Sequence, residues 1–184
     1  DYCTYVRMVQ DGMRNIVQNL RSDPYALETV YISIIAFAGK ARLLSPLTEI
    51  YKFYPPEFPL GGGTSLGAGL NFLMDDISSN VVRASAGQKG DWKPIVYLFT
   101  DGTPTDSPDS AISRWNLDFR SRASIVAVSI GDNADTQILG KISDNVLRLG
   151  IESSAVAHHK EQKRLVQLQS GEYHQQAVAF QTRY

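Results

Sequence analysis

Short apolar runs that alternate with helical stripes constrain the fold of this chain more than any other feature of its sequence. Residues 31–38, Ile95–Thr100 and Ser124–Ile130 are almost entirely apolar and rich in β-branched side chains. Such runs are typical of strands that are covered on both faces, as in a parallel sheet. Because helical stripes separate them, we predict an α/β fold: a doubly wound (Rossmann-like), mostly parallel sheet with helices on both faces.

The helical stripes lie between these runs, and in them apolar residues recur every three or four positions. They cover residues 6–20, 66–81 and 112–119, and a shorter stripe covers residues 138–142. Thr64 or Ser65 is well placed to cap the second helix. We also predict a hairpin partner for the first strand at residues 41–44 and a last short strand at residues 146–149.

Composition and charge exclude several classes of protein. The 184 residues are 43% hydrophobic and 20% charged, as expected for a globular domain with a sizeable core. Eighteen basic and nineteen acidic residues nearly cancel, so no charge excess favours nucleic acid or an anionic membrane as a partner. No apolar run reaches the roughly 18 residues that a membrane span needs. The single cysteine, Cys3, cannot form an intrachain disulfide, and we expect a cytoplasmic protein.

Asp101 follows the apolar run Ile95–Thr100 directly. In a doubly wound sheet, ligands bind beyond the carboxyl ends of the strands, so this carboxylate stands where a site is expected. An ionised carboxylate in that place needs water, hydrogen-bond donors or a cation. The alternative is a purely local role, because an aspartate followed by Gly102 is also a common turn signal.

Two motifs in the chain resemble the second and third metal-site motifs of von Willebrand factor A (vWA) domains. They are the runs Gly62-Gly63-Thr64-Ser65-Leu66-Gly67 and Leu98-Phe99-Thr100-Asp101-Gly102. Residues 20–30 and 87–94 resemble, more narrowly, the bacterial TerY branch of that family, which is associated with tellurium resistance. The resemblance extends from about residue 6 to residue 149, and the family's fold is the doubly wound sheet that the periodicity also predicts.

The resemblance implies a metal-ion-dependent adhesion site (MIDAS), in which loops hold a divalent cation, usually Mg²⁺. By position, Thr64 would supply the hydroxyl of the second motif and Asp101 the carboxylate of the third. Oxygen ligands of this kind suit Mg²⁺ or Mn²⁺. In this family an acidic residue of a partner protein commonly completes the coordination. The implied function is a protein-interaction module of a bacterial tellurium-resistance or stress-response system, with kinase-like or phosphatase-like proteins as candidate partners.

The first motif of the family, Asp-x-Ser-x-Ser after a central strand, is where this sequence departs from the pattern. The chain opens with an aspartate, Asp1, but Cys3 and Tyr5 stand where the two serines are expected. The central strand has no counterpart either, so we expect a gap in the sheet. Three explanations stay open: a truncated chain, a divergent member that binds partners without metal, or a tail segment such as residues 164–168 or 176–180 in the central position.

The chain divides into a vWA-like domain at residues 1–150 and an atypical C-terminal extension at residues 151–184. The extension is rich in glutamine and contains all three histidines, of which His158 and His159 are adjacent. Adjacent side chains diverge in a regular strand, so we expect a solvated pair and not a metal site.

Two alternatives compete with metal-dependent partner binding. The first is a vWA-like interaction module that works without metal. The second is a magnesium-dependent phosphohydrolase of the haloacid-dehalogenase type, because residues 99–107 resemble that family's Asp-x-Asp-Gly-Thr signature. Those enzymes form a phosphoaspartate on the first carboxylate of the signature, and Phe99 occupies that position. We therefore expect that the protein is not an enzyme.

Overall fold

The computed structural model of the chain describes residues 2–58 and 63–149. The elements of these residues, in chain order, are α1 (Tyr2–Ser22), α2 (Pro24–Thr29), β1 (Tyr31–Phe37), β2 (Ala41–Glu49), α3 (Leu66–Asn80), β3 (Ile95–Thr100), α4 (Asp109–Arg114), β4 (Ser124–Ile130), α5 (Thr136–Ile142) and β5 (Asn145–Leu149). One π-helical turn, Trp115–Phe119, continues α4. The predictions for residues 151–184, including the pair His158 and His159, lie outside the described residues.

The strands form two groups. β3, β4 and β5 make a parallel sheet in the order β3-β4-β5, and β1 and β2 make an antiparallel pair. The prediction of an α/β fold with a parallel sheet is confirmed. β2 extends to Glu49, five residues further than predicted, although it contains Pro46. A proline is tolerated there because β2 pairs with β1 alone in the described part of the chain, so Pro46 need not donate to a second strand.

Alternating side chains of the strands divide the core between two faces. Val96 and Leu98 of β3 pack with Ile125 and Ala127 of β4 against α3, α4 and α5. On the opposite face, side chains of α1 pack over the sheet in two clusters. The first contains Met13, Ile16 and Val17 with Ile32, Ile50 and Phe53, and the second contains Val128, Ile130 and Leu149 with Met8 and Val9. The helices therefore cover both faces, as predicted.

Arg21, in the last turn of α1, fastens this helix to the residues that follow β2. Its Nε donates to the carbonyl oxygen of Ile50 over 3.0 Å, and its Nη2 donates to the carbonyl oxygen of Phe53. Ile50 and Phe53 are themselves almost completely buried. The end of α1 is thus held by hydrogen bonds and by apolar packing at the same place.

Among the residues that the structure describes, a gap separates the two groups of strands. Among the described residues, no strand pairs with the edges of β1 and β3 that face each other. Between these edges lies a cavity of about 260 Å³, which α1 walls on one face and α3 on the other. We call this space the slot. Cys3 and Tyr5, which stand at the serine positions of the first motif, lie within α1, and Asp1 is outside the described residues.

Gly69 brings α3 into close contact with β1. A Cβ built on this glycine would lie 2.8 Å from Cβ and Cγ of Phe37, which is closer than carbon atoms approach without rearrangement. Gly140 is also helical, in α5, but a Cβ there would meet nothing within 4 Å. The two glycines therefore differ in packing although each lies inside a helix.

We expect Gly69→Ala to lower the free energy of unfolding by about 1 kcal/mol, because overpacking outweighs the gain in helix propensity. Gly140→Ala is the matched control and should raise it by about 0.5–1 kcal/mol. Urea unfolding followed by circular dichroism measures both values. Equal stabilisation by the two substitutions would contradict the close contact between Gly69 and Phe37.

No helix among the described residues combines the length and the apolar character that crossing a bilayer requires.

Candidate functional site

The carboxyl ends of β1 and β3 meet at one edge of the sheet, where two loops come together. The first loop precedes α3, and in it Ser65 donates its backbone N–H to the carbonyl oxygen of Ala38, just after β1, over 3.1 Å. The second loop, residues 101–108, follows β3. In a doubly wound sheet this edge is the expected position of a ligand site.

Thr64 joins the two loops through its backbone. Its N–H donates to Oγ1 of Thr105 over 3.0 Å, and its carbonyl oxygen accepts from the N–H of Thr105 over 2.9 Å. Its hydroxyl lies beside Gly102, where a Cβ would be 3.1 Å from Thr64 Oγ1. Because Gly102 has no side chain, the Thr64 hydroxyl can lie close to the backbone just after Asp101.

Asp101 is half-buried at the carboxyl end of β3 and lines the slot together with Thr64. The structure therefore brings the two predicted site residues to the same end of the slot. Within the described residues, no hydrogen bond or ion pair engages the Asp101 carboxylate. A partly desolvated carboxylate without protein donors favours a cation or an external donor as its partner.

Asp106 is a site residue that the sequence reasoning missed. Its carboxylate accepts from the backbone N–H of Gly67 over 3.2 Å and from that of Ala68 over 3.0 Å. These donors belong to the first turn of α3, where backbone N–H groups have no partner inside the helix. Asp106 thus caps α3 from a different loop and fastens the loop that carries Asp101.

The prediction that Thr64 or Ser65 caps α3 is confirmed for the N-cap position and wrong for the side-chain hydrogen bond. Ser65 occupies the N-cap position of α3, but its side chain makes no capping hydrogen bond. Two signals could have indicated an external cap: α3 has no acidic residue in its first turn, and it carries Gly67 there. A Cβ on Gly67 would lie 3.0 Å from Oδ2 of Asp106, so the glycine permits the close approach of the capping carboxylate.

The potential metal ligands at this edge suit a hard divalent cation, but they are few. Thr64 and Asp101 offer a hydroxyl and a carboxylate, which are the oxygen ligands that Mg²⁺ and Mn²⁺ prefer. Asp106 is already engaged by the first turn of α3. No group of three or more His, Cys, Asp or Glu side chains that could hold a metal occurs in the part of the chain that the structure describes. Two protein ligands leave most of an octahedral shell to water or to a partner.

The phosphohydrolase alternative has little support from the geometry. Phe99, at the position of the nucleophilic carboxylate, packs against the cluster of Val128, Ile130 and Leu149 under α1. It therefore belongs to the core on the α1 face. The second acidic residue of the loop, Asp106, is committed to helix capping, so Asp101 has no paired carboxylate there for acid–base work.

Comparison with known proteins agrees with the architecture. The sequence model of the von Willebrand factor type A domain matches residues 4–169. No curated protein sequence matches the chain.

Several solved structures share the fold at low sequence identity. Proximal thread matrix protein 1 from the mussel byssus superposes with a TM-score of 0.60 at 20% identity, over 91% of this chain and 41% of that one. A von Willebrand factor type A protein from Catenulispora acidiphila superposes with a TM-score of 0.60 at 14% identity, over 88% of this chain and 38% of that one. A form of the mussel protein described as having a zinc-occupied MIDAS motif superposes with a TM-score of 0.57 at 18% identity. This match covers 96% of this chain and 41% of that one.

The chain spans about two fifths of the length of these structures. At such identities the likeness shows the fold alone. The match to the family model, in contrast, covers most of the sequence, from residue 4 to residue 169, and agrees with the parallel sheet and the helices on both faces. The chain therefore belongs to the von Willebrand factor type A domain family.

Proposed function

We propose that the protein is an interaction module that binds an acidic group of a partner protein through a divalent cation at Thr64 and Asp101. vWA domains are typically interaction modules and generally not enzymes. The observation that carries the proposal is the half-buried Asp101 carboxylate, which no described residue engages and which lines the same end of the slot as Thr64. A cation there would neutralise this carboxylate, and a partner's carboxylate would complete its coordination.

The proposed cation is Mg²⁺ or Mn²⁺, because both ligands, the Thr64 hydroxyl and the Asp101 carboxylate, are oxygen ligands. A divalent cation would supply positive charge and open coordination positions for the partner's carboxylate. Thr64 and Asp101 would hold this cation at the edge of the sheet. The two hydrogen bonds between Thr64 and Thr105 and the capping by Asp106 support the proposal, because they join the two ligand loops to each other and to α3. Rigid loops lower the conformational entropy that binding costs.

A narrower part of the proposal concerns the biological setting. We assign the module to a cytoplasmic bacterial tellurium-resistance or stress-response system of the TerY type, with a kinase-like or phosphatase-like partner. Its support is the resemblance of residues 20–30 and 87–94 to that branch. In the structure, Asp23 in the first stretch caps α2 by accepting from the N–H groups of Tyr25 and Ala26. Expression of the chain and of Asp101→Ala in a tellurite-sensitive bacterium, with tolerance to tellurite as the readout, tests this setting.

The metal proposal predicts stabilisation by divalent cations. At a Mg²⁺ or Mn²⁺ concentration tenfold above the dissociation constant, the native state should gain about 1.4 kcal/mol, and the Tm should rise accordingly. Thr64→Ala and Asp101→Asn should each abolish the rise, whereas Asp109→Asn, an exposed acidic residue at the start of α4, should keep it. Differential scanning calorimetry with and without a chelator measures the shift.

The second candidate is an interaction module that needs no metal. The small number of potential metal ligands favours this candidate, because the described residues contain no cluster of three potential metal-binding side chains. This candidate predicts no change in Tm on adding either cation and partner capture that is indifferent to a chelator. A cooperative unfolding transition without a metal-dependent shift would therefore replace the first proposal with the second.

A further inference from the structure

The amino ends of β3 and β4 lie side by side at the edge of the sheet opposite the candidate metal site. Ser124, the first residue of β4, donates its N–H to the carbonyl oxygen of Pro94, just before β3, over 3.0 Å. The connection from α3 leads into β3, and the residues after the π-helical turn lead into β4. Arg83 and Lys93 belong to the first connection and Arg122 to the second, so basic side chains of both connections lie at one edge.

The connection that carries Arg83 is held by two pairs of hydrogen bonds. Val82 donates its N–H to the Asp91 carboxylate and accepts from the N–H of Asp91, each over 2.8 Å. Ser85 and Gln88 exchange two backbone hydrogen bonds of 3.0 Å. Arg83 lies between these two pairs, and its side chain is exposed. The backbone of Arg83 is therefore fixed while its guanidinium group is accessible.

Arg122 is held over an aromatic ring. Its Cζ lies 4.6 Å from the centroid of the Phe119 ring, and Phe119 is almost completely buried. Lys93 joins the two connections, because its Nζ donates to the carbonyl oxygen of Arg120 over 3.4 Å. A guanidinium group that already rests on a ring loses less conformational freedom on binding an anion than a freely rotating one.

Arg83 and Arg122 repel each other. Partial burial and the charge of Arg83, in this order, lower the pKa of Arg122 from its usual value, and the charge of Asp118 partly offsets this effect. Arg114 and Arg120 each form an ion pair with an aspartate, of 2.8 and 2.6 Å. Within the part of the chain that the structure describes, Arg83 and Arg122 form no ion pair. An anion bound between them would offset their repulsion.

We propose that Arg83 and Arg122, with Lys93 as a third positive charge, bind a phosphorylated serine or threonine side chain of a partner protein. A phosphomonoester carries a charge of about −1.5 to −2 at pH 7 and three acceptor oxygens, which suits two guanidinium groups better than a single carboxylate does. The chain has eighteen basic and nineteen acidic residues, which disfavours nucleic acid or an anionic membrane as the source of the phosphate. This site is at the edge opposite Thr64 and Asp101 and needs no metal, so it goes beyond the function proposed above.

The test is a nuclear magnetic resonance titration of the full ¹⁵N-labelled chain, in buffer with a chelator, with a peptide of one phosphothreonine flanked by alanines. The side-chain Nε–H signals of Arg83 and Arg122 should move together and reach saturation. The same peptide with glutamate in place of phosphothreonine should bind at least about fivefold more weakly. Inorganic phosphate should displace the phosphopeptide only at a higher concentration than that of the peptide. The chelator keeps the result independent of the metal proposal.

Three arginine variants locate the site. Arg83→Gln should weaken phosphopeptide binding by about fivefold or more, because it removes one of the two guanidinium groups. Arg122→Lys keeps the charge and an apolar stem over Phe119 and should weaken binding by about two- to fivefold. Arg148→Gln is the matched control. Arg148 is exposed and donates to Oγ1 of Thr136 over 2.8 Å at the other end of the sheet, so its replacement should change the affinity less than about twofold.

Several results would overturn the proposal. The first is an absence of movement of the Arg83 and Arg122 signals at about 10 mM phosphopeptide. The second is an equal loss of affinity in Arg83→Gln and Arg148→Gln, which would indicate general attraction to positive charge. Displacement of the peptide by an equal or lower concentration of inorganic phosphate would show a site for the free ion. Tighter binding of a short single-stranded oligonucleotide than of the phosphopeptide would assign the phosphate to nucleic acid. Arg83 lies in an exposed connection, so Arg83→Gln keeps the test decisive even if Arg122→Lys fails to fold.

Discussion

Trp115→Ala is expected to lower the free energy of unfolding by about 3–5 kcal/mol. Trp115 is completely buried in the π-helical turn after α4 and stacks on Phe119 with ring centroids 6.2 Å apart. Its Nε1–H donates to the carbonyl oxygen of Ile142 over 3.2 Å, which ties this turn to the end of α5. The substitution therefore leaves a cavity and an unsatisfied carbonyl oxygen together.

Urea unfolding followed by circular dichroism measures this loss. Leu117→Ala is the control, because Leu117 lies in the same π-helical turn but is 83% exposed, and its replacement should change the stability by less than about 0.5 kcal/mol. Trp115→Phe separates the two contributions, since it keeps most of the apolar volume and removes only the donor to Ile142. A loss below about 1 kcal/mol for Trp115→Ala would show that this packing does not hold α4 and α5 together.

Asp106→Ala is expected to lower the free energy of unfolding by about 2 kcal/mol. The change leaves the N–H groups of Gly67 and Ala68 without their acceptor, and Gly67 is buried, so water replaces the carboxylate poorly. Ser65→Ala is the discriminating control. It alters the N-cap residue of α3, whose side chain makes no capping bond, and should cost less than about 0.5 kcal/mol.

The same urea titrations compare these variants, with Asp106→Asn as an intermediate. Asparagine keeps one oxygen acceptor, so it should retain part of the lost stability. A large effect of Ser65→Ala together with a small effect of Asp106→Ala would mean that α3 is capped locally and that the two loops at the sheet edge are not joined through Asp106.

The strands and most of the helices were predictable from local sequence patterns, whereas α2 (Pro24–Thr29) was not predicted. The runs that became β3 and β4 match Ile95–Thr100 and Ser124–Ile130 residue for residue, since strands covered on both faces are apolar at nearly every position. The end of β2 was missed because Pro46 is normally a signal against a strand, and only its position at a sheet edge makes it acceptable.

The candidate site was only partly predictable, because its key contacts join distant parts of the chain. Thr64 and Asp101 were singled out by resemblance, the structure places them at one end of the slot, and their role as metal ligands stays a prediction. Asp106 lies 39 residues from Gly67, and no local spacing rule links a loop carboxylate to a helix start that far away.

The proline of β2 limits how the protein can assemble. A strand added at the outer edge of a sheet presents a new open edge, so further copies can add without end, as in fibrils. In the described part of the chain β2 pairs with β1 alone, and Pro46 has no N–H to donate to a strand added beside β2. Pro46 therefore weakens the pairing of one copy with the next at this edge.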